Sequence, residues 1–419
     1  MIEELKNNRK VLFEKLENNS FAIFHSGYNK FKTADAVYDF VVNNNFYYLT
    51  GIDQANVALI IGKFNNEYLE KLFIEEIDAE TARWLGATLS FSEASAISGI
   101  DTKNIVNINS FNNYVSSLFQ SNRYGLVEAS TVYLDLEQRN IPQYTTFALE
   151  YAKVLREKYP SVVIQNSYNL VVEQRMSKNS AEIELIKKSI ETTKNAIYNV
   201  MSHHNELSNE SVANAYHDFT IIKEGKKLSF GDIIASGHNA TILHYEDNNS
   251  DIEANSLLLM DVGCYTDHYS SDISRTFPVS GKFTPRQKEV YEVVLDVNKK
   301  CIAYAKAGMT WAELNNYANT LLTEGLKKLG LIKEDSELRK YYFHSIGHSL
   351  GLDVHDPSIA RLGLVEGMVI TIEPGLYIPE EHIGIRIEDN IQITKGEAIL
   401  LSKDIIKEVD DIEAFLAKE

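Results

Sequence analysis

The sequence predicts two domains of mixed structure, an α/β domain over residues 1–175 and an α+β domain over residues 176–419. Three observations support this prediction. The chain has 419 residues, which is more than one ordinary hydrophobic core needs. Short apolar runs alternate with helical patterns in the first part of the chain. In the second part, long helices and paired strands occupy separate blocks.

The first domain is predicted from its local patterns. Residues 1–19 carry charges at helical spacing, which favours a helix over the apolar core of a signal peptide. Apolar runs at 21–25, 57–61 and 132–135 predict strands, and residues 145–158 predict a helix. Residues 161–172 predict extended chain, because two groups of valines flank a polar turn. A new pattern near Met176 then marks the domain boundary.

Helix caps organise the second domain. Asn179 and Glu182 form a capping box before a long helix. Two more helices are predicted after Thr284 and Thr310, with Gly308 and Gly330 as helix ends. The apolar face of the first helix consists of Ile183, Ile186, Ile190, Ile197 and Val200. Strands are predicted at 256–264, 271–277, 368–373 and 384–393.

Composition excludes several classes of partner. A net charge of −18 repels nucleic-acid phosphates and anionic lipids, so we expect no nucleic acid and no membrane among the partners. The densest apolar runs fall far short of the ~18 residues that span a bilayer. Only two cysteines occur, Cys264 and Cys301, which is typical of a reducing compartment and predicts a cytoplasmic protein.

Two predicted hairpins place acidic residues together. If the first turns at Thr266 and Asp267, Asp261 lies directly opposite Asp272, an arrangement that needs a cation. The alternative is that one aspartate faces solvent.

In the second hairpin, a turn around residues 380–381 brings Glu373 opposite Glu388. Here the alternative is a weak surface pair between Arg386 and Glu388, worth less than about 1 kcal/mol.

Three of the eleven histidines lie between these hairpins, at His344, His348 and His355. A single histidine is more often structural, but together they are candidates for metal binding and proton transfer. Four carboxylates and one neutral imidazole carry four negative charges, which two divalent ions would balance. Oxygen ligands with one nitrogen suit Mn²⁺, Co²⁺, Fe²⁺ or Zn²⁺, and such a pair of ions catalyses hydrolysis.

These residues carry a resemblance to a known family. The second domain resembles the pita-bread metallopeptidases, and within them the bacterial Xaa-Pro aminopeptidases (aminopeptidase P). The resemblance rests on MDVGCYTDHYSSDISRTFPVSGKFTPRQ, HSIGHSLGLDVHD, GMVITIEPGLYI and GIRIEDNIQIT, which occur in the family's order. The first domain is similar to the aminopeptidase P amino-terminal domain, in NNNFYYLTGIDQANVALII and in ARWLGATLS around Trp84.

The resemblance implies roles for individual residues. His244 and His355 would contact substrate and stabilise the tetrahedral intermediate, and Glu373 would assist proton transfer. His344 would line the substrate pocket, where Arg386 would orient Glu388. The five metal ligands would be Asp261, Asp272, His348, Glu373 and Glu388.

The resemblance also implies an activity. Two divalent ions, Mn²⁺ foremost, would serve hydrolysis that releases the N-terminal residue from peptides with proline second. The assembly would be a homodimer or a homotetramer. The runner-up is a dipeptidase specific for Xaa-Pro (prolidase). A methionine aminopeptidase needs no folded amino-terminal domain, while non-catalytic and metal-free relatives typically lack the ligands that this chain keeps.

Residues 379–382, PEEH, bear on the choice between the first two activities. They form a short acidic connection without an arginine that could read a free carboxylate. This feature predicts that longer peptides are preferred to dipeptides, unless Arg361 or a neighbouring subunit supplies the recognition.

Overall fold

The computed structural model describes residues 1–120, 128–138, 140–141 and 145–418. The chain divides into two compact units, Met1–Arg175 and Met176–Glu419. Both units combine helices with sheets, in agreement with the predicted mixed fold class. Among the described residues, no helix combines the length and the apolar character needed to cross a membrane.

Twelve α-helices lie in the described part of the chain, joined in places by short 3₁₀ turns. They are α1 (Ile2–Lys15), α2 (Asn44–Thr50), α3 (Ala79–Leu85), α4 (Phe91–Ser98), α5 (Phe111–Leu118), α6 (Phe147–Lys158), α7 (Tyr168–Met176), α8 (Ser180–Ser202), α9 (Glu210–Lys223), α10 (Pro285–Tyr304), α11 (Trp311–Lys328) and α12 (Val409–Leu416).

The strands of the same residues are short, and most of them pair antiparallel. They are β1 (Ser20–His25), β2 (Phe31–Thr33), β3 (Ala36–Val37), β4 (Ala58–Phe64), β5 (Glu67–Ile74), β6 (Ile105–Asn107), β7 (Thr131–Leu134), β8 (Val163–Asn166), β9 (Lys227–Leu228), β10 (Ile233–Ser236), β11 (Leu257–Val262), β12 (Cys264–Thr266), β13 (Tyr269–Ser270), β14 (Ile273–Pro278), β15 (Val369–Ile372), β16 (Gly375–Ile378), β17 (Ile383–Arg386), β18 (Asp389–Gln392) and β19 (Ile399–Leu400).

The first unit is built on a six-stranded mixed sheet in the order β6-β5-β4-β1-β7-β8. The strand β1 is antiparallel to β4 and parallel to β7. Phe21, Ile23, Ile60 and Phe73 project from this sheet into one apolar core. The apolar runs at 21–25, 57–61 and 132–135 therefore form central strands, and the strand predictions there are confirmed.

The prediction of extended chain over residues 161–172 is wrong in its second half. Only β8 is extended, and α7 follows it directly. Val171 and Val172 are buried, as are Arg175 and Met176 four residues later, whereas Glu173 is exposed. Burial of this helical face outweighs the strand preference of the two valines, because propensity is weaker than tertiary packing.

The predicted helix caps of the second unit are confirmed. Capping boxes at Asn179, Thr284 and Thr310 begin α8, α10 and α11, and the predicted apolar face of α8 is buried. Gly330 follows the end of α11 with φ +73°. Gly308 does not end a helix, since α10 stops at Tyr304 and Gly308 lies in the loop beyond it.

The second unit also contains small antiparallel sheets. Their strand orders are β10-β11-β14, β13-β12-β9, β15-β18-β19 and β16-β17. The acidic residues of interest lie at the ends of strands in the hairpin β11–β14 and in the hairpin β15–β18. Strand ends from two separate hairpins therefore supply the candidate site.

Candidate metal centre and active site

The first hairpin keeps one register from β11 to β14. Asp261 pairs with Ser274, and Thr266 pairs with Tyr269 near the tip. The turn therefore consists of residues 267–268, which have φ values of +45° and +66°. Such φ values suit the tight turns that match the twist of antiparallel strands. The predicted turn at residues 266–267 is wrong by one position.

This register moves Asp272 two residues away from the position opposite Asp261. The strict opposition that the sequence predicted is therefore wrong. A shift of two residues keeps a side chain on the same face of a strand. Asp261 and Asp272 are consequently diagonal neighbours, which long side chains and shared ions can still bridge.

The second hairpin has the predicted register. Ile372 pairs with Asp389, and Gly375 pairs with Arg386, which leaves Glu373 and Glu388 facing each other where the ladder is interrupted. The connection between β16 and β17 is short and contains the 3₁₀ turn Pro379–Glu381.

The backbone of His348 is clamped against β15. Its N–H donates to Thr371 Oγ1 at 3.0 Å, and the N–H of Thr371 donates to the carbonyl of His348 at 2.9 Å. A Cβ atom on Gly347 would lie 2.0 Å from the Thr371 carbonyl, so only glycine permits this approach. The clamp directs His348 Nε2 to within 3.3 Å of Asp272 Oδ2 and 3.8 Å of Glu373 Oε1.

The resulting cluster fits divalent cations. Ligand atoms of Asp272, His348 and Glu388 all lie within 4.8 Å of one another, and Glu373 and Asp261 lie at the same strand ends. Asp261 Oδ1 is buried and has no hydrogen-bond partner among the residues that the structure describes. An orphaned buried carboxylate oxygen is costly unless a cation or water meets it. Oxygen donors with one imidazole match first-row divalent ions.

Electrostatics lead to the same conclusion. Burial, together with the charge of Asp261, raises the pKa of Asp272 to about 6, and burial raises the pKa of Glu373 to about 7. Burial and the surrounding acids raise the pKa of Glu388 well above its ordinary value. Burial alone would lower the pKa of His348, but its contacts with Asp272 and Glu373 raise it to about 9. Without cations, these carboxylates do not all ionise near neutral pH.

The metal-free protein should lose stability as the pH rises. Folded Asp272 and Glu373 have pKa values of about 6 and 7, above the ordinary 3.8 and 4.5, so their contribution is complete at low pH and is lost on deprotonation. His348 acts in the same direction between its ordinary 6.5 and about 9. Melting temperatures of metal-free and Mn²⁺-loaded protein should therefore diverge from about pH 5 to pH 8. A constant difference across this range would contradict the assigned electrostatics.

Arg386 joins the two hairpins from inside the protein. Its guanidinium donates to Asp261 Oδ2 at 2.7 Å, to Ser274 Oγ at 2.8 Å and to the Tyr377 hydroxyl at 2.9 Å. Ser274 Oγ in turn donates to Glu388 Oε2 at 2.8 Å. Arg386 is 2% exposed, so the alternative of a surface pair with Glu388 is wrong. It reaches Glu388 through Ser274.

Ser274 and Tyr377 are site residues that were not predicted from the sequence. Strand alternation would have found both, because Ser274 lies two residues after Asp272 and Tyr377 lies four residues after Glu373. Neither residue is a metal ligand type that stands out in a sequence. Their importance comes from their hydrogen bonds to Arg386 and, for Ser274, to Glu388.

His344 and His355 lie beside the acids and His348. His344 Nδ1 is 3.7 Å from Glu373 Oε2, and its Nε2 is 2.9 Å from the Tyr377 hydroxyl. Burial and the charge of Arg386 lower the pKa of His344 to about 4, with a smaller contribution from His244, so His344 is neutral near pH 7. The ring of exposed His355 lies 4.2 Å from that of His348.

His244 is exposed and follows the 3₁₀ turn Asn239–Thr241. Its effect on the pKa of His344 places it near the same group of side chains.

The connection between β16 and β17 is less negative than the sequence predicted. Arg286 of α10 donates to both carboxylate oxygens of Glu381 at 2.7 Å. Glu380 accepts a hydrogen bond from the Tyr341 hydroxyl at 3.2 Å. The short length of the connection is confirmed, but half of its acidic charge is neutralised by an arginine distant in sequence.

Comparison with known proteins agrees with this geometry. The family model for metallopeptidase family M24 matches residues 184–395, and the model for the aminopeptidase P N-terminal domain matches residues 5–127. A solved structure of a provisionally assigned aminopeptidase P from Bacillus anthracis is 45% identical, with a TM-score of 0.96, and the match covers 100% of this chain and 98% of that one.

Curated relatives align over similar lengths. The Xaa-Pro aminopeptidase of Haemophilus influenzae is 31% identical over 98% of this chain and 96% of its own. The mitochondrial intermediate cleaving peptidase 55 of Arabidopsis thaliana is 31% identical over 99% of this chain and 83% of its own. The chain has an acidic and histidine cluster arranged for metal, the M24 model matches half of its length, and its match to an aminopeptidase P structure is full-length. The chain therefore belongs to metallopeptidase family M24, in its aminopeptidase P group.

Proposed function

We propose that this metallopeptidase releases the N-terminal residue from peptides that have proline in the second position. The observation that carries the proposal is the cluster of four carboxylates and one imidazole at the ends of two hairpins. The full-length similarity to a Xaa-Pro aminopeptidase supports the choice of reaction. A relative of equal identity is named as an intermediate cleaving peptidase and not as a Xaa-Pro aminopeptidase. The requirement for proline is therefore the part of the proposal that peptide substrates must test.

Asp261, Asp272, His348, Glu373 and Glu388 would hold two divalent ions, with Mn²⁺ as the first choice and Co²⁺, Fe²⁺ or Zn²⁺ as alternatives. The four carboxylates match the four positive charges of such a pair. Bound ions would supply Lewis-acid chemistry at the scissile carbonyl. The orphaned Oδ1 of Asp261 supports this ligand set most directly.

The remaining site residues act on the peptide and on its protons. Glu373 would transfer a proton, a role that fits its place between His344 and His348 at 3.7 and 3.8 Å. Exposed His244 and His355 would donate hydrogen bonds to the oxygen that gains charge during hydrolysis. His344 would line the pocket. Arg386 would position Asp261 and Glu388 from the interior, because its contacts face the site side chains.

Peptides of the Xaa-Pro-Yaa type and longer should be cleaved faster than the matched Xaa-Pro dipeptide. The connection between β16 and β17 is too short to close over a substrate. Arg286, which contacts this connection, is already engaged with Glu381. A site that remains open admits a continuing chain, whereas a dipeptidase must bind the proline carboxylate. Values of kcat/KM for a dipeptide, a tripeptide and a pentapeptide with one shared start measure this preference.

Matched peptides with alanine in place of proline are the control for specificity. Comparable cleavage of the alanine series would reject the Xaa-Pro assignment. Cleavage of the dipeptide alone would make the enzyme a prolidase instead.

Location and assembly are further parts of the proposal. Both cysteines are free and buried, which suits a reducing compartment and supports a cytoplasmic location. The proposed assembly is a homodimer or a homotetramer, as the family resemblance implies, with peptides as the substrates.

A further inference from the structure

The loop over residues 351–356 carries His355 and is closed by its last residue. The N–H of Asp356 donates to the carbonyl of Ser349 at 2.8 Å. The N–H of Asp353 donates to Asp356 Oδ1 at 3.2 Å. The Asp356 side chain thus links the middle of the loop to its last residue, which directly follows His355.

A buried ion pair anchors this closing residue. Lys178 Nζ donates to Asp356 Oδ2 at 2.9 Å, and both side chains are 1% exposed. Lys178 precedes α8, and its own N–H donates to the carbonyl of Gly367 at 2.9 Å. A buried charge depends strongly on its partner, because neither can return to water in the folded state. The pair therefore fixes Asp356 to a separate segment of the unit.

The packing around the pair leaves little freedom for the loop. A Cβ atom on Gly351 would lie 2.8 Å from Asp356 Oδ2 and 2.9 Å from Lys178 Cε. Glu182 also lies close enough to interact with both charges, and it is held by the Tyr269 hydroxyl at 2.7 Å. The ion pair therefore packs against the loop backbone and against the start of α8.

The same hydrogen-bond network includes the candidate metal ligand His348. The carbonyl of Ser349 accepts from the N–H of Asp356 and lies 3.1 Å from His348 Nδ1. The rings of His348 and His355 are 4.2 Å apart and nearly perpendicular. Displacement of Asp356 would therefore move His355 relative to the acids.

We propose that Lys178 and Asp356 are positioning residues that hold His355 in place beside the metal centre. This inference rests on the proposed function, in which His355 contacts the substrate. Neither Lys178 nor Asp356 is exposed to a substrate, so their effect on catalysis passes through His355.

Asp356→Asn in the full-length, metal-loaded enzyme tests the inference. The amide keeps the shape and the acceptor of the carboxylate but removes its charge. Hydrogen exchange over residues 351–356 should become faster, metal content should stay at the wild-type level, and kcat should fall by up to about 100-fold through misplacement of His355. KM should change little. Lys178→Met is the second variant if Asp356→Asn does not fold.

A double-mutant cycle with His355→Ala separates positioning from a general loss of stability. Combined with His355→Ala, Asp356→Asn should lower kcat no further. Asp232→Asn is the matched control, since Asp232 is a buried carboxylate paired with His217 at 2.7 Å outside this loop. Any loss of kcat that it causes should multiply with that of His355→Ala.

The inference would be overturned if hydrogen exchange in the loop were unchanged in Asp356→Asn. It would also be overturned if the kcat losses of Asp356→Asn and His355→Ala multiplied in the double variant. If His355→Ala alone kept full kcat, the proposed role of His355 would fail. Hydrogen exchange would still test whether the ion pair holds the loop in place. Faster exchange in Asp356→Asn supports that role, and exchange at the wild-type rate contradicts it.

Discussion

Asp261→Asn should leave the folded enzyme with fewer than two bound divalent ions and with kcat/KM lower by about 10³-fold or more. Asp261 has one oxygen hydrogen-bonded to Arg386 and one buried oxygen that has no partner in the described part of the chain, so the amide removes a charge where a cation is expected. Metal polarisation of a carbonyl contributes several kcal/mol, and about 4 kcal/mol corresponds to about 10³-fold. Metal analysis and peptide hydrolysis measure the two effects.

Asp267→Asn is the matched control for this prediction. Asp267 lies on the same hairpin, is exposed and has φ +45°, a conformation that asparagine adopts as readily as aspartate. This variant should keep wild-type metal content and turnover. Chelation of the wild type should abolish activity, and added Mn²⁺ or Co²⁺ should restore it. Full activity in demonstrably metal-free protein would contradict the metal assignment.

His244→Ala and His355→Ala should each keep their metals and lose most of their turnover. Both side chains are exposed, and the ring of His355 lies beside that of His348. Removal of a donor aimed at a developing oxyanion costs about 3 to 4 kcal/mol, or about 10² to 10³ in kcat. Single-turnover and steady-state rates with an Xaa-Pro-Yaa peptide measure the loss.

His238→Ala is the control, because His238 is also exposed and lies six residues before His244. It should retain wild-type kcat. Stoichiometric loss of metal in either test variant would require a new ligand assignment. An unchanged kcat would remove that histidine from the mechanism.

Local patterns were sufficient for much of the fold. The capping boxes of α8, α10 and α11 and the central strands of the first unit follow from residues a few positions apart. The same holds for the facing of Glu373 and Glu388, since a short turn and strict alternation set that register. Such features are predictable because the interactions that decide them are close in sequence.

The sequence by itself determined the helices α8, α10 and α11, the strands that carry the acidic residues, and the acidic and histidine residues that gather there. Only the tertiary structure decided that α7 is a helix, that the first hairpin turns at residues 267–268, and that Arg386 is buried against Asp261. It also decided the pairing of Lys178 with Asp356. These outcomes depend on burial and on hydrogen bonds between distant residues, whose energies exceed the local preferences that a sequence displays.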